Sequence, residues 1–198
     1  MISCLLLAAG SSKRFGSPKA LAMVDGKTVI QHIQMTLVNS NVGEIVVVLG
    51  DHVESIKSHI LNHKRVRVVY NKDYNLGQTS SFKAGLRAVS LESSGIMLLP
   101  VDVPFIKTAT VNSLIEEFDK NNPAILIPTY QEKKGHPPIF NVYLKDELLC
   151  WQDTFGLNEF ARKHQADSVA ISAGDEGVLR SFNTPSEFEE IKVYFKFS

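Results

Sequence analysis

The residues best suited to chemistry stand near the start of the chain. An apolar run ends in Ala8-Ala9-Gly10 and is followed at once by Ser11, Ser12, Lys13, Arg14, Gly16, Ser17, Pro18 and Lys19. Small residues let backbone N–H groups come close to an anion. Arginine adds a planar fork of donors, and lysine adds a compact point charge. A loop of this make-up after a first strand can cradle a triphosphate. The same residues also suit a solvated Ser/Lys loop that binds nothing. Neither GxxxxGK followed by Ser or Thr, nor GxGxxG, is present, so the loop is not a Walker loop or a dinucleotide fingerprint.

A carboxylate in a suitable place is Asp102. It follows the apolar run Ile96 to Leu99 and sits between Pro100 and Pro104. A parallel sheet delivers ligands at such strand ends, and Mg²⁺ takes one or two carboxylates before filling its shell with phosphate oxygens and water. The plainer reading is a turn aspartate that caps the next helix. Asn71, Gly77, Ser80 and Ser81 lie between a strand and a helix. Glycine there allows close approach and the polar side chains can bond a base edge. A helix N-cap at Thr79 or Ser80 would account for the serines equally well. His136 stands after Gly135 and before two prolines, in a stiff loop. No Ser/His/Asp or Cys/His arrangement is apparent, so any chemistry here works by positioning and charge rather than by a protein nucleophile.

These residues need a frame, and the hydropathy pattern supplies one. Short apolar runs at residues 2–8, 44–49, 66–70, 96–99, 124–127 and 168–171 read as strands. Between them lie segments of helical period. Thr28 caps a helix with Val29, Ile30, Ile33, Leu37 and Val38 on one face. Asp51 and Glu54 have capping-box spacing before a helix carrying Val53, Ile56, Ile60 and Leu61. Further helices are expected at about 79–89, from Thr108 or Thr110, at 144–151, at 157–164 and at 185–193. Pro128 is expected to stop the strand before it. Residues 138–141, preceded by two prolines, are expected on an edge or in a locally antiparallel position. Strand alternating with helix means an α/β fold with a mostly parallel sheet, its strand ends gathered on one rim.

Composition narrows the classes. At 198 residues the chain suits a single domain, residues 1–198, with no clear linker or repeat. Lys+Arg and Asp+Glu both total 21, so there is no cationic excess to displace counterions from nucleic acid. No apolar stretch approaches the length of a membrane span, and the N-terminus reads as a first strand rather than a signal peptide. Cys4 and Cys150 are far apart, with no CxxC and no zinc spacing, which points to a cytoplasmic protein.

The opening AAGSSKRFGSPK resembles the AAGxSxRFGxxK signature of the nucleotidyltransferases that mature the molybdenum cofactor. Four more stretches are similar to that family in the same order. They are NKDYNLGQTSSFKAGL from Asn71, LPVDVPFI from Leu99, KGHPPIF from Lys134 and GVLRSFNTPSEF from Gly177. The run from Arg14 to Lys19 has the shorter form of the cytidylyltransferase branch and lacks the GGxDK of the guanylyltransferases. The resemblance implies a Rossmann-like three-layer sandwich with one antiparallel strand, of the nucleotide-diphospho-sugar transferase type. It implies CTP as donor, the phosphate of molybdopterin as acceptor, pyrophosphate as product and Mg²⁺ as cofactor.

Carried over residue by residue, the resemblance gives Arg14, Lys19 and Asp102 catalytic roles. It places Ala8, Ala9, Gly10, Ser11, Ser12, Asn71, Gly77, Ser80 and Ser81 against the nucleotide, Asp102 and Asn183 on the metal, and His136 at the acceptor. Ser181 and Asn183 stand where cytidylyl relatives often have aspartates, and the NTP run is shared with guanylyl relatives. Trp151 to Gly156 occupy the place of a GDxGAR-like loop but lack its arginine. The alternatives are a guanylyltransferase, a sugar-phosphate nucleotidyltransferase (Asp25-Gly26-Lys27 resembles their following turn), or a non-enzymatic chaperone that delivers molybdenum cofactor to a molybdenum hydroxylase. The missing glycine fingerprint argues against an NAD-dependent oxidoreductase.

Overall fold

A computed structural model describes residues 1–193. In chain order the elements are β1 (Ile2–Ala8), β2 (Met23–Val24), β3 (Lys27–Thr28), α1 (Val29–Val38), β4 (Glu44–Leu49), α2 (Val53–Lys57), β5 (Val66–Tyr70), α3 (Gln78–Ala88) and β6 (Gly95–Pro100). There follow α4 (Thr108–Asn121), β7 (Ile125–Tyr130), β8 (Lys133–Lys134), β9 (Ile139–Asn141), α5 (Lys145–Cys150), α6 (Leu157–Lys163), β10 (Ser168–Ser172) and α7 (Pro185–Lys192).

Among the described residues the main sheet runs β10-β7-β9-β6-β1-β4-β5, with β8 folded back on β7. β1 lies in the middle and pairs in parallel with both β4 and β6. All seven of its residues are buried, Ser3 among them, as expected of a strand covered on both faces. Alternation then sorts its side chains. Cys4, Leu6 and Ala8 join the core under α1, α4 and α7. Leu5 and Leu7 join the core under α3, α5 and α6. Helices therefore cover both faces of one mostly parallel sheet, the three-layer α/β architecture read from the sequence. None of the described helices is long and apolar enough to cross a membrane.

Residues 138–141, expected on an edge or in a locally antiparallel position, take the antiparallel one: β9 lies inside the sheet, antiparallel to both β6 and β7, and its three residues are all buried. Two local expectations are corrected. Pro128 does not end its strand, which runs on to Tyr130. The Pro128 carbonyl accepts from the Gly135 N–H at 2.8 Å, so the missing proline N–H faces that same side, where β8 begins pairing only at Thr129. Asp51 and Glu54 do not form a capping box. The Asp51 carboxylate accepts from the next N–H, His52, at 2.9 Å, and His52 enters a five-residue helix with φ 57°. Thr28, by contrast, caps α1 as expected, in a box with Gln31.

The sheet's far rim carries a carboxylate that matters for stability. Glu44 accepts from the Ser3 hydroxyl at 2.7 Å, from the Ser90 N–H at 3.1 Å, and pairs with Arg67 at 2.6 Å. Burial works to raise its pKa, but the bonds from Ser90 and Ser3 and the Arg67 guanidinium together hold it below the ordinary carboxylate value. A carboxylate depressed in the fold stabilises it above the unfolded pKa, and that contribution fades as pH falls through the folded value. Glu44→Gln is therefore expected to lower stability at pH 7 by about 1–2 kcal/mol, the scale of charged hydrogen bonds. Urea unfolding across pH should show wild type and variant converging as pH falls below the usual carboxylate range. A gap that stays constant would contradict this role.

Candidate functional site

The carboxyl ends of β1 and β6 open into a cleft of ≈ 640 Å³. Its floor is the Ala8-Ala9-Gly10 turn, and one wall is the loop from Ser11 to Lys19. Ser12 shapes that loop. It adopts φ 50°, its carbonyl accepts from the Phe15 and Gly16 N–H groups, and its hydroxyl accepts from the Lys19 N–H at 3.1 Å. Gly16 has φ 80°, a conformation that glycine reaches without strain. Phe15 points away from the cleft and packs edge-on against Phe182 and Phe188, with ring centroids 5.3 and 5.8 Å apart. This aromatic cluster fastens the loop to the segment before α7. Thr184 caps that helix in a box with Glu187, which fixes the chain beside Asn183.

Four side chains from three distant segments consequently meet. Lys19 Nζ donates to Asp102 Oδ2 at 2.9 Å and to Asn183 Oδ1 at 2.9 Å. Arg14 Nη2 donates to the same Asn183 oxygen at 2.9 Å. The backbone ties the partners too, because the Phe182 N–H donates to the Asp102 carbonyl at 3.1 Å. The fold thus brings together Arg14, Lys19, Asp102 and Asn183, to which separate roles were assigned from the sequence.

Around that constellation, Ala8, Ala9, Gly10, Ser11, Ser12, Gly77 and Ser81 also line the cleft. Asn71, Ser80 and His136 do not. Asn71 is buried, with its amide donating to the Ser80 and Ser81 hydroxyls and its carbonyl oxygen accepting from the Asp73 N–H. Ser80 in turn donates to the Asp73 and Gly77 carbonyls. These side chains brace the turn that brings Gly77 and Ser81 to the cleft. Neither Thr79 nor Ser80 caps α3; Gly77 holds that position at φ 103°, with open space where a side chain would begin. Asn71→Ala leaves two buried hydroxyls without their shared donor. It is expected to cost about 1–3 kcal/mol. Thermal unfolding checks this, and unchanged stability would contradict the bracing role.

His136 is not among the residues that line the cleft. Its N–H donates to the Val178 carbonyl at 2.8 Å, and Gly135 packs so tightly there that a Cβ would sit 2.4 Å from that same oxygen. Burial pushes the imidazole pKa down, and the Asp102 charge and the Leu98 backbone push back only in part. The ring is thus held neutral at pH 7, its Nδ1 buried without a hydrogen-bond partner. The Trp151 to Gly156 loop docks on α3. Thr79 donates to the Phe155 carbonyl at 3.0 Å, and Lys83 donates to the Trp151 carbonyl and the Asp153 carboxylate at 2.8 and 3.0 Å.

Sequence reasoning passed over Asp51, Tyr74, Asn75 and Gln78, which also line the cleft. Gly50 is the one detectable signal among them. A Cβ there would strike Tyr74 Cβ at 2.5 Å and the Ala9 carbonyl at 2.6 Å, so the chain crosses β1's end at close quarters.

The chemistry follows from the donor set. A cleft lined by a small-residue loop and the cations Lys13, Arg14 and Lys19 takes a polyanion. Asp102 and Asn183 present a carboxylate and an amide oxygen to one ammonium, a hard oxygen pair that suits Mg²⁺ or Mn²⁺ when phosphates and water complete the shell. The described residues hold no group of three or more His, Cys, Asp or Glu that would enclose a metal alone.

Known proteins share the family and the fold. A family described as the MobA-like NTP transferase domain matches residues 4–173, a span that includes Lys19 and Asp102 and ends before Asn183. The chain is 28% identical to the nicotine blue oxidoreductase of Paenarthrobacter nicotinovorans, over 73% of this chain and 72% of that one. It is 27% identical to a probable molybdenum cofactor guanylyltransferase of Natranaerobius thermophilus, over 98% and 96%. A Mycobacterium tuberculosis H37Rv protein has the same fold, with a TM-score of 0.83 at 22% identity and 97% of each chain covered. A structure of that protein in complex with manganese gives 0.78 at 22% identity, over 97% and 98%.

Proposed function

The chain belongs to the MobA-like NTP transferase domain family of nucleotidyltransferases, and on that premise we propose that it transfers CMP from CTP to the phosphate of molybdopterin, releasing pyrophosphate. The observation that carries this reading is the meeting of Arg14, Lys19, Asp102 and Asn183 at the mouth of the phosphate loop. In the proposed reaction an acceptor phosphate oxygen attacks the α-phosphorus in line. That oxygen is already ionised near pH 7, so no protein base is needed. The backbone of residues 10–12 holds the phosphate tail, while Arg14 and Lys19 stabilise the departing pyrophosphate. Asp102 and Asn183 would hold a divalent cation, Mg²⁺ in this reading; the manganese bound by the Mycobacterium tuberculosis neighbour supports such a site. That cation would neutralise charge gathering on the phosphates. Gly77 and Ser81, braced by Asn71, offer backbone and hydroxyl to the base.

A second reading has GTP as donor. It is favoured by the name of the Natranaerobius relative and by the Asn183-Thr184-Pro185 run. Incubation of the protein with molybdopterin, Mg²⁺ and each nucleotide, followed by mass spectrometry, tests both. A cytosine dinucleotide as main product supports CTP, and a guanine dinucleotide replaces it with GTP. Neither product, with a sugar phosphate turned over instead, moves the acceptor. Pterin binding without any product would leave a carrier, and a redox change without pyrophosphate would follow the name of the Paenarthrobacter relative. In the proposed role the protein works in the cytoplasm and supplies its product to a molybdenum hydroxylase.

A further inference from the structure

The Lys19 ammonium stands between the two oxygens assigned to the divalent cation. It is 2.9 Å from Asp102 Oδ2 and 2.9 Å from Asn183 Oδ1. The lysine side chain is only 12% exposed, and its charge lies 5.6 Å from the Phe182 ring. Arg14 donates to the Asn183 oxygen as well. A monocation held this closely competes directly with a dication, because like charges at contact distance in a partly desolvated site repel.

We infer that Lys19 closes the divalent-cation site while the cleft is free of nucleotide, and that a phosphate tail opens it by drawing the ammonium away from Asp102 and Asn183. The means are already in the cleft. The Lys19 backbone is part of the phosphate loop, its N–H bonded to Ser12 Oγ at 3.1 Å, while its four-carbon stem can swing the ammonium from carboxylate to phosphate. Cation and nucleotide then bind with positive coupling, each tightening the other by the same factor. The cation alone finds its site taken. The inference rests on the proposed role of Asp102 and Asn183, and adds to it an order: nucleotide first or together with metal, not metal alone.

The test is a Mn²⁺ titration without nucleotide, read by the electron paramagnetic resonance signal of free Mn²⁺. Wild type, Lys19→Met, Lys19→Gln and the double variant Lys19→Met/Asp102→Asn are compared, each shown to be folded by circular dichroism. Both single variants are expected to bind Mn²⁺ at least about tenfold more tightly than wild type, and the double variant should lose the gain. Equal affinity of wild type and both single variants overturns the inference. A gain that survives Asp102→Asn also overturns it, because the cation would then sit elsewhere. Should wild type bind Mn²⁺ as tightly as the variants and still release pyrophosphate, the inference falls and the proposed function stands. Should no variant bind Mn²⁺ and wild type release no pyrophosphate with any nucleotide, both fall.

Discussion

Asp102→Ala is expected to lower turnover about a thousandfold or more while leaving the fold intact. The first part follows from charge. Asp102 is the carboxylate of the constellation, and in the proposed role its loss removes metal-assisted stabilisation of a developing pyrophosphate, worth several kcal/mol, each 1.36 kcal/mol being a factor of ten. The second part follows from position. The carboxylate is at the cleft rim, 28% exposed, and its side-chain bond is to Lys19. The backbone carbonyl that holds Phe182 remains in the variant. Steady-state pyrophosphate release and thermal unfolding, measured together, check both halves. Turnover within tenfold of wild type, in a folded variant, would remove Asp102 from the reaction. Asp102→Asn keeps an oxygen and loses the charge. It is expected to retain part of the rate and to need more metal to reach it.

Lys19→Ala is expected to lower turnover by about two to three orders of magnitude, the usual effect of removing one preorganised donor to a developing oxyanion. Lys19→Arg should restore little of this, because a rigid planar fork does not fit a site that receives a point charge between two oxygens. A further signature separates this residue from Asp102. If Lys19 both covers the cation site and serves the phosphates, its removal strengthens metal binding while weakening catalysis. A residue that merely propped the loop would not move those two quantities in opposite directions.

Much of this was legible in the residues, for identifiable reasons. β1 is an almost wholly apolar run, broken only by Ser3, that a doubly covered strand explains, and Thr28 is a local signal for a helix start. Local pattern fails where long-range pairing decides. β9 is three residues long, and its place between β6 and β7 depends on a strand pairing that no local periodicity encodes. Pro128 was read as a stop because the direction its nitrogen faces is a property of the sheet, not of the residue. The loop cations Arg14 and Lys19 were visible by type and spacing. Asn183 lies 164 residues from Lys19, and only resemblance to a family pointed to it. The polar residues after β5 show the limit of type alone. Asn71 and Ser80 can bond a base or a backbone with the same atoms, and closure of the turn commits them to the backbone. Asn75 and Gln78 reach the cleft through that same closure, with nothing in their types to set them apart.

The most direct test measures pyrophosphate release by the purified protein with CTP and with GTP, each with and without molybdopterin, and repeats the active combination after chelation of divalent cations. Release that requires the acceptor, stops on chelation and falls about a thousandfold in Asp102→Ala is the predicted result. Release that is absent with both nucleotides, or that persists undiminished after chelation and in Asp102→Ala, would contradict the account.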